Sequence, residues 1–302
     1  MVVKRLKWAL LFFGFFLIFF TNCEISLLSK QDPQNGPEPY EDPEPGGGED
    51  PEDTTEKSYT ISYTNMAGAT NNSANPGTYT NKSPKIKLEP PVMAAVYFVC
   101  WRINSSAGAP VSSIPAGSSG NRTFYAQWTT KEEYNIIAEA NRVRTAPKDY
   151  ANMLLAELKT ITNPADQSAY EAAITTLNEA APRSPLNFER GLYFAASAHA
   201  EDLKATGTMG HDSSDKTTFY DRVRRYGTFP SASTSAGENA AGGTYSDTGA
   251  KMVKQWVLSP AHLNNILHPS YTQTGASLLS GHPLSNWVSV QVFAWNFTSN
   301  PY

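Results

Sequence analysis

The spacing of the apolar residues changes once along this chain, near residue 130, and that change decides what the chain can fold into. Before it, "YTISYT" (59–64) and "TFYAQW" (123–128) alternate, and the segments between them are punctuated by Gly, Pro, Asn and Ser. This is the pattern of half-buried strands joined by turns. Beyond Lys131, "EEYNIIAEANRVR" (132–144) and "PKDYANMLLAELKTI" (147–161) place apolar residues three and four apart, with Pro147 at a helix start. "QSAYEAAITTLNEA" (167–180) continues the helical region. In "ERGLYFAASAHAEDLKATG" (189–207) Leu192, Ala196, His199 and Leu203 share a face, and Gly207 follows the end. Late in the chain "WVSVQVFAWNF" (287–297) reads as a strand, paired with "TGASLL" (274–279). Helices around a short antiparallel sheet predict an α+β fold, a sandwich, preceded by a small β domain.

The residues ahead of both parts cannot join either core. Lys4, Arg5 and Lys7 precede an apolar run from Trp8 to Phe20. That run has the length of a signal-peptide core and falls short of the ~20 residues of a transmembrane helix. It ends at Thr21-Asn22-Cys23, which resembles a bacterial lipoprotein signal in relaxed form and would make Cys23 a lipidated N-terminus. Ordinary cleavage nearby and an uncleaved anchor are the alternatives. Residues 31–56 hold ten acidic residues, six prolines and four glycines with no Lys or Arg, the composition of an extended, disordered tether. The expected organisation is a signal peptide (1–22), a tether (23–57), a β domain (58–130) and an α+β domain (131–302).

The net charge of −4 comes from the tether; from Lys57 onward 20 Lys and Arg face 17 Asp and Glu. A near-neutral folded part excludes the concentrated basic surface of a nucleic-acid binder. The one basic cluster, "DRVRRYG" (221–227), reads as a solvated helix face. Apart from Cys23 the only cysteine is Cys100, so a lipidated Cys23 would leave no intramolecular disulfide.

Residues 58–129 are similar to the Listeria–Bacteroides repeat, a small β-grasp-like module of bacterial surface proteins. The resemblance rests on "YTISYT", "NPGTYT" (75–80), "FVCWR" (98–102) and "SIPAGSSGNRTFYAQW" (113–128). Trp101 and Trp128 are read as core. In the second part, "AHAEDLKATG" (198–207), "MGHDSS" (209–214), "FYDRVRRYG" (219–227), "AGENAAGG" (236–243), "WVLSPAHLNNIL" (256–267) and "VSVQVFA" (288–294) occur in that order. Together they resemble the CAP superfamily of cysteine-rich secretory, antigen 5 and pathogenesis-related 1 proteins, in its cysteine-poor bacterial branch. The resemblance implies an α-β-α sandwich with an open cleft lined by two His and two acidic residues. His211, Glu238 and His262 match three of those positions, and Ser259 stands at the fourth.

Bottom-up, the lone carboxylate of Glu238 among small residues is either an exposed loop acid or a cleft acid against which the backbone packs closely. Ser259 before Pro260 reads as a helix N-cap whose hydroxyl serves backbone N–H groups, which argues against a Ser259–His262 nucleophile pair. His199 reads as a satisfied core histidine, and His268 and His282 as loop residues without commitment. Two His and one Glu could hold a divalent metal such as zinc with one position open. No HExxH helix, paired cysteines or phosphate loop occurs. The functional expectation is an exported, lipid-anchored protein at the cell surface or outer membrane, binding an extracellular protein, glycan or lipid through this cleft. The alternative is a metal-assisted hydrolase using His211, Glu238 and His262. Lipid or sterol carriage is a third reading from family precedent.

Overall fold

The computed structural model describes residues 55–66, 68–230, 235–243 and 248–301. The expected signal segment, Cys23 and residues 31–54 of the acidic stretch lie outside the described residues. Among the described residues no helix is long and apolar enough to cross a membrane.

The alternating segments form strands in the order β1 (Ser58–Thr64), β2 (Thr78–Thr80), β3 (Ile86–Lys87), β4 (Phe98–Ile103), β5 (Pro110–Val111), β6 (Ser113–Ile114) and β7 (Arg122–Trp128). Five of them make one sheet, ordered β2-β1-β7-β4-β5, in which β1 and β7 run parallel and the other pairs antiparallel. β3 and β6 form a separate two-stranded ribbon. The alternation delivers Ile61, Tyr79, Phe124 and Ala126 to one apolar face, closed by Trp101 and Ile114. Trp101 is core, as its sequence context predicts, and its indole N–H donates to the Glu89 carbonyl. Trp128 is half-buried and donates to the Asn65 carbonyl.

Thr130 and Glu133 then form a reciprocal capping box that starts α1 (Lys131–Thr145) directly after the last strand. Pro147 opens α2 (Pro147–Leu158), and Asn163 caps α3 (Pro164–Glu179) through its side chain. After β8 (Asn187–Phe188) comes α4 (Arg190–Thr206), ended by Gly207 in the left-handed conformation at φ 67°. The remainder runs α5 (Phe219–Arg224), β9 (Gly227–Thr228), β10 (Ser235–Gly243), α6 (Gly249–Val257), α7 (Pro260–Leu267), β11 (Gln273–His282), β12 (Asn286–Trp295) and β13 (Thr298–Ser299).

A four-stranded sheet ordered β10-β12-β11-β8 lies at the centre. The period of two in β12 sends Val288, Val290, Val292 and Ala294 to one side, against Leu192, Ala196 and Leu203 of α4 and Val223 of α5. Phe293 faces the other side, where α1, α2, α3, α6 and α7 supply the larger core, with Trp256 fully buried at its heart. Helices therefore cover both faces of the sheet, and the α+β expectation holds.

The described residues all fall within one compact unit, Pro37–Tyr302. The β-rich part meets the helical part at a small aromatic seam. Tyr97 stacks on Phe188 with ring centroids 4.6 Å apart, and Val99 and Cys100 pack on Tyr193. Cys100 is a free thiol buried in this seam, and burial pushes its pKa up to about 11.

One glycine sets how closely α4 can lie on the sheet. A Cβ on Gly275 would overlap the backbone nitrogen of Tyr193, a group that no rotamer change can move aside. Gly275→Ala is expected to destabilise the fold by about 3 kcal/mol or more, the upper end of overpacking costs. Urea denaturation of the full chain measures it, and a change below about 0.5 kcal/mol would show that α4 is free to shift.

Candidate functional site

The glycine- and alanine-rich stretch around Glu238 is a strand, although few of its residues favour one. β10 pairs with β12 along its whole length, Glu238 opposite Val292 and Asn239 opposite Gln291. Small residues are required here because neighbours press in: a Cβ on Gly237 would collide with the Tyr271 hydroxyl, and one on Gly242 with the Ser285 side chain. Strand alternation then divides the two polar residues. Glu238 points to the side of α4 and α5, and Asn239 to the side of α7.

Glu238 is fully committed on its side. Its Oε1 accepts from His211 Nδ1 at 2.9 Å, and its Oε2 accepts from Arg222 Nη2 at 2.7 Å. His199 Nε2 lies 3.6 Å from Oε1 and donates to the Gly210 carbonyl at 2.9 Å. The side chains of Glu238 and Arg222 are each 2% exposed, whereas that of His211 is 39% exposed. The lone acid is therefore not an exposed loop acid: it is buried and seated behind His211, whose ring reaches solvent.

Arg222 does more than neutralise the carboxylate. Its Nη2 also donates to the His211 carbonyl and its Nη1 to the Ser213 hydroxyl, so one guanidinium fixes both Glu238 and the loop that carries His211. The loop is tied a second time where the Ser214 amide and hydroxyl donate to the Asp202 carboxylate on α4. The expectation that 221–227 is a solvated helix face is therefore corrected at Arg222. Arg224 and Arg225 are solvated, but the helix faces inward at Arg222 and Val223. Three basic residues in a short segment hid this, because one face of a six-residue helix cannot be told from the other by spacing.

His262 sits half-buried on α7. The helix is pinned to β10 by amides: Asn239 Nδ2 donates to the His262 carbonyl, and Asn265 Nδ2 donates to the Asn239 side chain and the Glu238 carbonyl. At the other end of α7, the buried Arg144 donates to the carbonyls of Ile266, His268 and Tyr271. Burial lowers the Arg144 pKa to about 10, so it stays cationic at neutral pH, suited to carbonyls at a helix C-terminus.

The four ionisable groups divide the work. Burial alone would raise the Glu238 pKa, but the His211 hydrogen bond and the neighbouring His199, Arg222 and His211 charges outweigh it and hold the group below 4.5. The same hydrogen bond raises His211 above 6.5, against the opposing effect of burial. Burial lowers His199, with Glu238 opposing. Burial lowers His262 to about 4, helped by the charge of His211, which places the two rings within electrostatic reach. At neutral pH the cleft thus offers a neutral imidazole at His262 and a carboxylate-bound, charge-prone one at His211.

Other expectations need correction. Ser259 is the N-cap residue of α7 but its side chain makes no capping hydrogen bond. His282 is buried, its Nδ1 accepting from the Leu284 and Ser285 amides, so it organises the β11–β12 turn. His268 stacks on Tyr271 at 4.2 Å. His199 is buried as expected, yet its Nδ1 has no partner and its Nε2 belongs to the Glu238 group.

For a metal, the useful donors are the two cleft imidazoles. His211 Nδ1 is held by a carboxylate, the usual arrangement behind a metal-ligating His, which leaves Nε2 for the ion. Glu238 fits poorly as a direct ligand, since an ion at Oε2 would have to displace a guanidinium at 2.7 Å. Among the described residues no three His, Cys, Asp or Glu side chains are grouped to hold a metal ion.

Residues 172–293 match the model of the cysteine-rich secretory protein family, CAP. The match supports a CAP domain, and His211, Arg222, Glu238 and His262 all fall inside it. The protein YkwD of Bacillus subtilis (strain 168), itself uncharacterized, is 31% identical over 120 residues, covering 38% of this chain and 45% of YkwD. Among solved structures, an extracellular protein containing a SCP domain from Bacillus anthracis is 23% identical with a TM-score of 0.32, over 46% of this chain and 43% of that one. An outer surface protein from Borrelia burgdorferi is 20% identical with a TM-score of 0.32, over 45% of this chain and 96% of that one. The chain thus spans less than half the length of YkwD and of the Bacillus anthracis chain.

Removing Arg222 leaves a buried carboxylate and loosens the His211 loop, so Arg222→Met is expected to cost about 3–5 kcal/mol. His262→Ala should cost less than about 1 kcal/mol. The pH dependence has two edges. The lowered Glu238 pKa gives stability that is present above pH 4.5 and is lost as pH falls through the folded value. The raised His211 pKa gives stability that is full below pH 6.5 and is lost as pH rises through the folded value. Urea melts from pH 3 to 9 should show both edges in the wild type and neither in Glu238→Gln.

Proposed function

We propose that this protein is exported, tethered to the bacterial surface by a lipid on Cys23, and uses its CAP domain to bind an extracellular ligand. The observation that carries the binding reading is the commitment of Glu238. Both of its oxygens are taken by His211 and Arg222 inside the protein, and its pKa is held low. A buried carboxylate kept ionised by a guanidinium is a poor general acid and has no free oxygen with which to take a proton from water. Nor does the site have an activated nucleophile, since no hydrogen bond joins Ser259 to His262 among the described residues. What reaches solvent is the His211 ring, with the half-buried His262 within electrostatic reach of it, on a rigid base, which suits recognition of a polar group on a protein, glycan or lipid.

One observation favours the second reading, metal-assisted hydrolysis. His262 is neutral above about pH 4, and His211 has its Nδ1 engaged, so both could offer a ring nitrogen to zinc. Calorimetric titration with zinc and a peptidase assay of the zinc-loaded full chain separate the two. The binding reading expects no turnover of casein or of cell-wall peptides with or without zinc. Turnover that needs zinc and disappears in His262→Ala would replace it with the hydrolase.

The residues ahead of the β domain would form the tether, with 58–130 a Listeria–Bacteroides repeat-like spacer that lifts the cleft outward. The support is compositional: an apolar run ending at Cys23, then ten acids and six prolines within 31–56. Labelled fatty acid should enter the wild type in bacterial cells and be absent from Cys23→Ala. Equal labelling of the two, or a mature N-terminus elsewhere, would remove the anchor.

A further inference from the structure

A second polar recess, sharing no residue with the imidazole cleft, lies at the open end of the face that the β-rich sheet turns toward the helical part. Arg102 of β4 and Tyr125 of β7 are cross-strand partners, as are Cys100 and Gln127, so all four side chains leave the sheet on the side away from its apolar core. Cys100 is covered by Tyr193, but Arg102, Tyr125 and Gln127 are only half-buried. They line a cavity of about 180 Å³ together with Asn65, Ser106 and Trp128.

The lining is built to present donors. Gln127 Oε1 accepts from Arg102 Nε at 2.7 Å and from the Cys100 thiol at 3.2 Å, which turns the amide so that its NH₂ is left over. Arg102 Nη1 donates to the Gly108 carbonyl at 2.8 Å, holding the guanidinium plane. Its Nη2, the Gln127 NH₂ and the hydroxyls of Tyr125 and Ser106 have no protein hydrogen-bond partner among the described residues. No carboxylate lines the recess. A fixed guanidinium with a free edge, an amide donor, hydroxyls and an aromatic ring, with no acid to neutralise them, select an anion that also has a ring and hydroxyl groups. The volume is below the ~300–1,000 Å³ of sites for drug-sized molecules, so it admits about one ring.

We propose that this recess binds a carboxylate-bearing sugar unit, such as a uronic acid residue of a surface polysaccharide. The carboxylate lies on Arg102 Nη2, the ring packs beside Tyr125, and ring hydroxyls accept from Gln127 and Ser106. The site is independent of the imidazole cleft, and it gives the β-rich part a ligand of its own.

Calorimetric titration of the full chain with glucuronate tests this, with glucose and N-acetylglutamate as separate arms. Saturable glucuronate binding at least about tenfold tighter than that of glucose or N-acetylglutamate is expected. Arg102→Lys and Tyr125→Ala should each weaken it about tenfold or more, while His262→Ala leaves it as it is. Tyr125→Phe is the control for folding: it keeps the ring in the sheet and removes only a hydroxyl with no hydrogen-bond partner among the described residues, so it should keep the wild-type melting temperature and most of the affinity. Absence of saturation up to tens of millimolar would overturn the proposal. So would N-acetylglutamate binding as tightly as glucuronate, which would mark a carboxylate site without sugar recognition, or loss of binding in His262→Ala.

Discussion

The ionised carboxylate of Glu238, buried against Arg222 and His211, is the constraint around which the site is arranged. An isolated carboxylate at that depth would be driven to its neutral form. The guanidinium and imidazole reverse this, and each brings a separate element with it: Arg222 from α5, His211 from the loop after α4, Glu238 from the central sheet. The carboxylate is thus the point where three segments meet, and the exposed ring of His211 is the part of the group that solvent reaches. Replacing Arg222 or Glu238 leaves the other as an uncompensated buried charge, which is why the pair behaves as a structural unit behind the exposed ring of His211.

The far wall of the cleft is held by two amides and one guanidinium, with no carboxylate among them. The side chains of Asn239 and Asn265 lock α7 onto β10, and Arg144 gathers carbonyls beyond its C-terminus. The amides sit beside His262 and carry no charge, while the Arg144 guanidinium is spent on carbonyls at the far end of the helix. That distinction explains the chemistry of the two imidazoles. His211 is drawn toward protonation by the carboxylate at its back, whereas His262, in a desolvated setting with no anion at hand, stays neutral. Two histidines of the same intrinsic basicity are pushed apart by what stands behind them.

The β-rich part contributes a second kind of surface. Its sheet buries one face around Trp101 and turns the other toward the helical part, where Cys100 meets Tyr193. The seam is small and apolar, and it leaves the Arg102 end of that face open. The imidazole pair at one place and the donor-lined recess at another are thus two separate polar surfaces.

The sequence by itself determined the strand-to-helix change at residue 130, the helix start at Pro147, the stop at Gly207 and the paired late strands, because each rests on local periodicity or on the backbone limits of single residues. It also marked His211, Glu238 and His262, through motifs whose order along the chain resembles a known family. Only the tertiary structure decided that "SAGENAAGG" is a strand: its few β-favouring residues gave no local signal, and pairing with β12 imposes the conformation. The same holds for Arg222, Arg144, His199 and His282. A buried arginine and a solvated one look alike in a sequence, and a histidine takes its role from what lies across the fold from it. Arg222, His211 and His199 reach Glu238 from increasingly distant points along the chain, at separations with no periodicity, so their convergence is a property of packing alone.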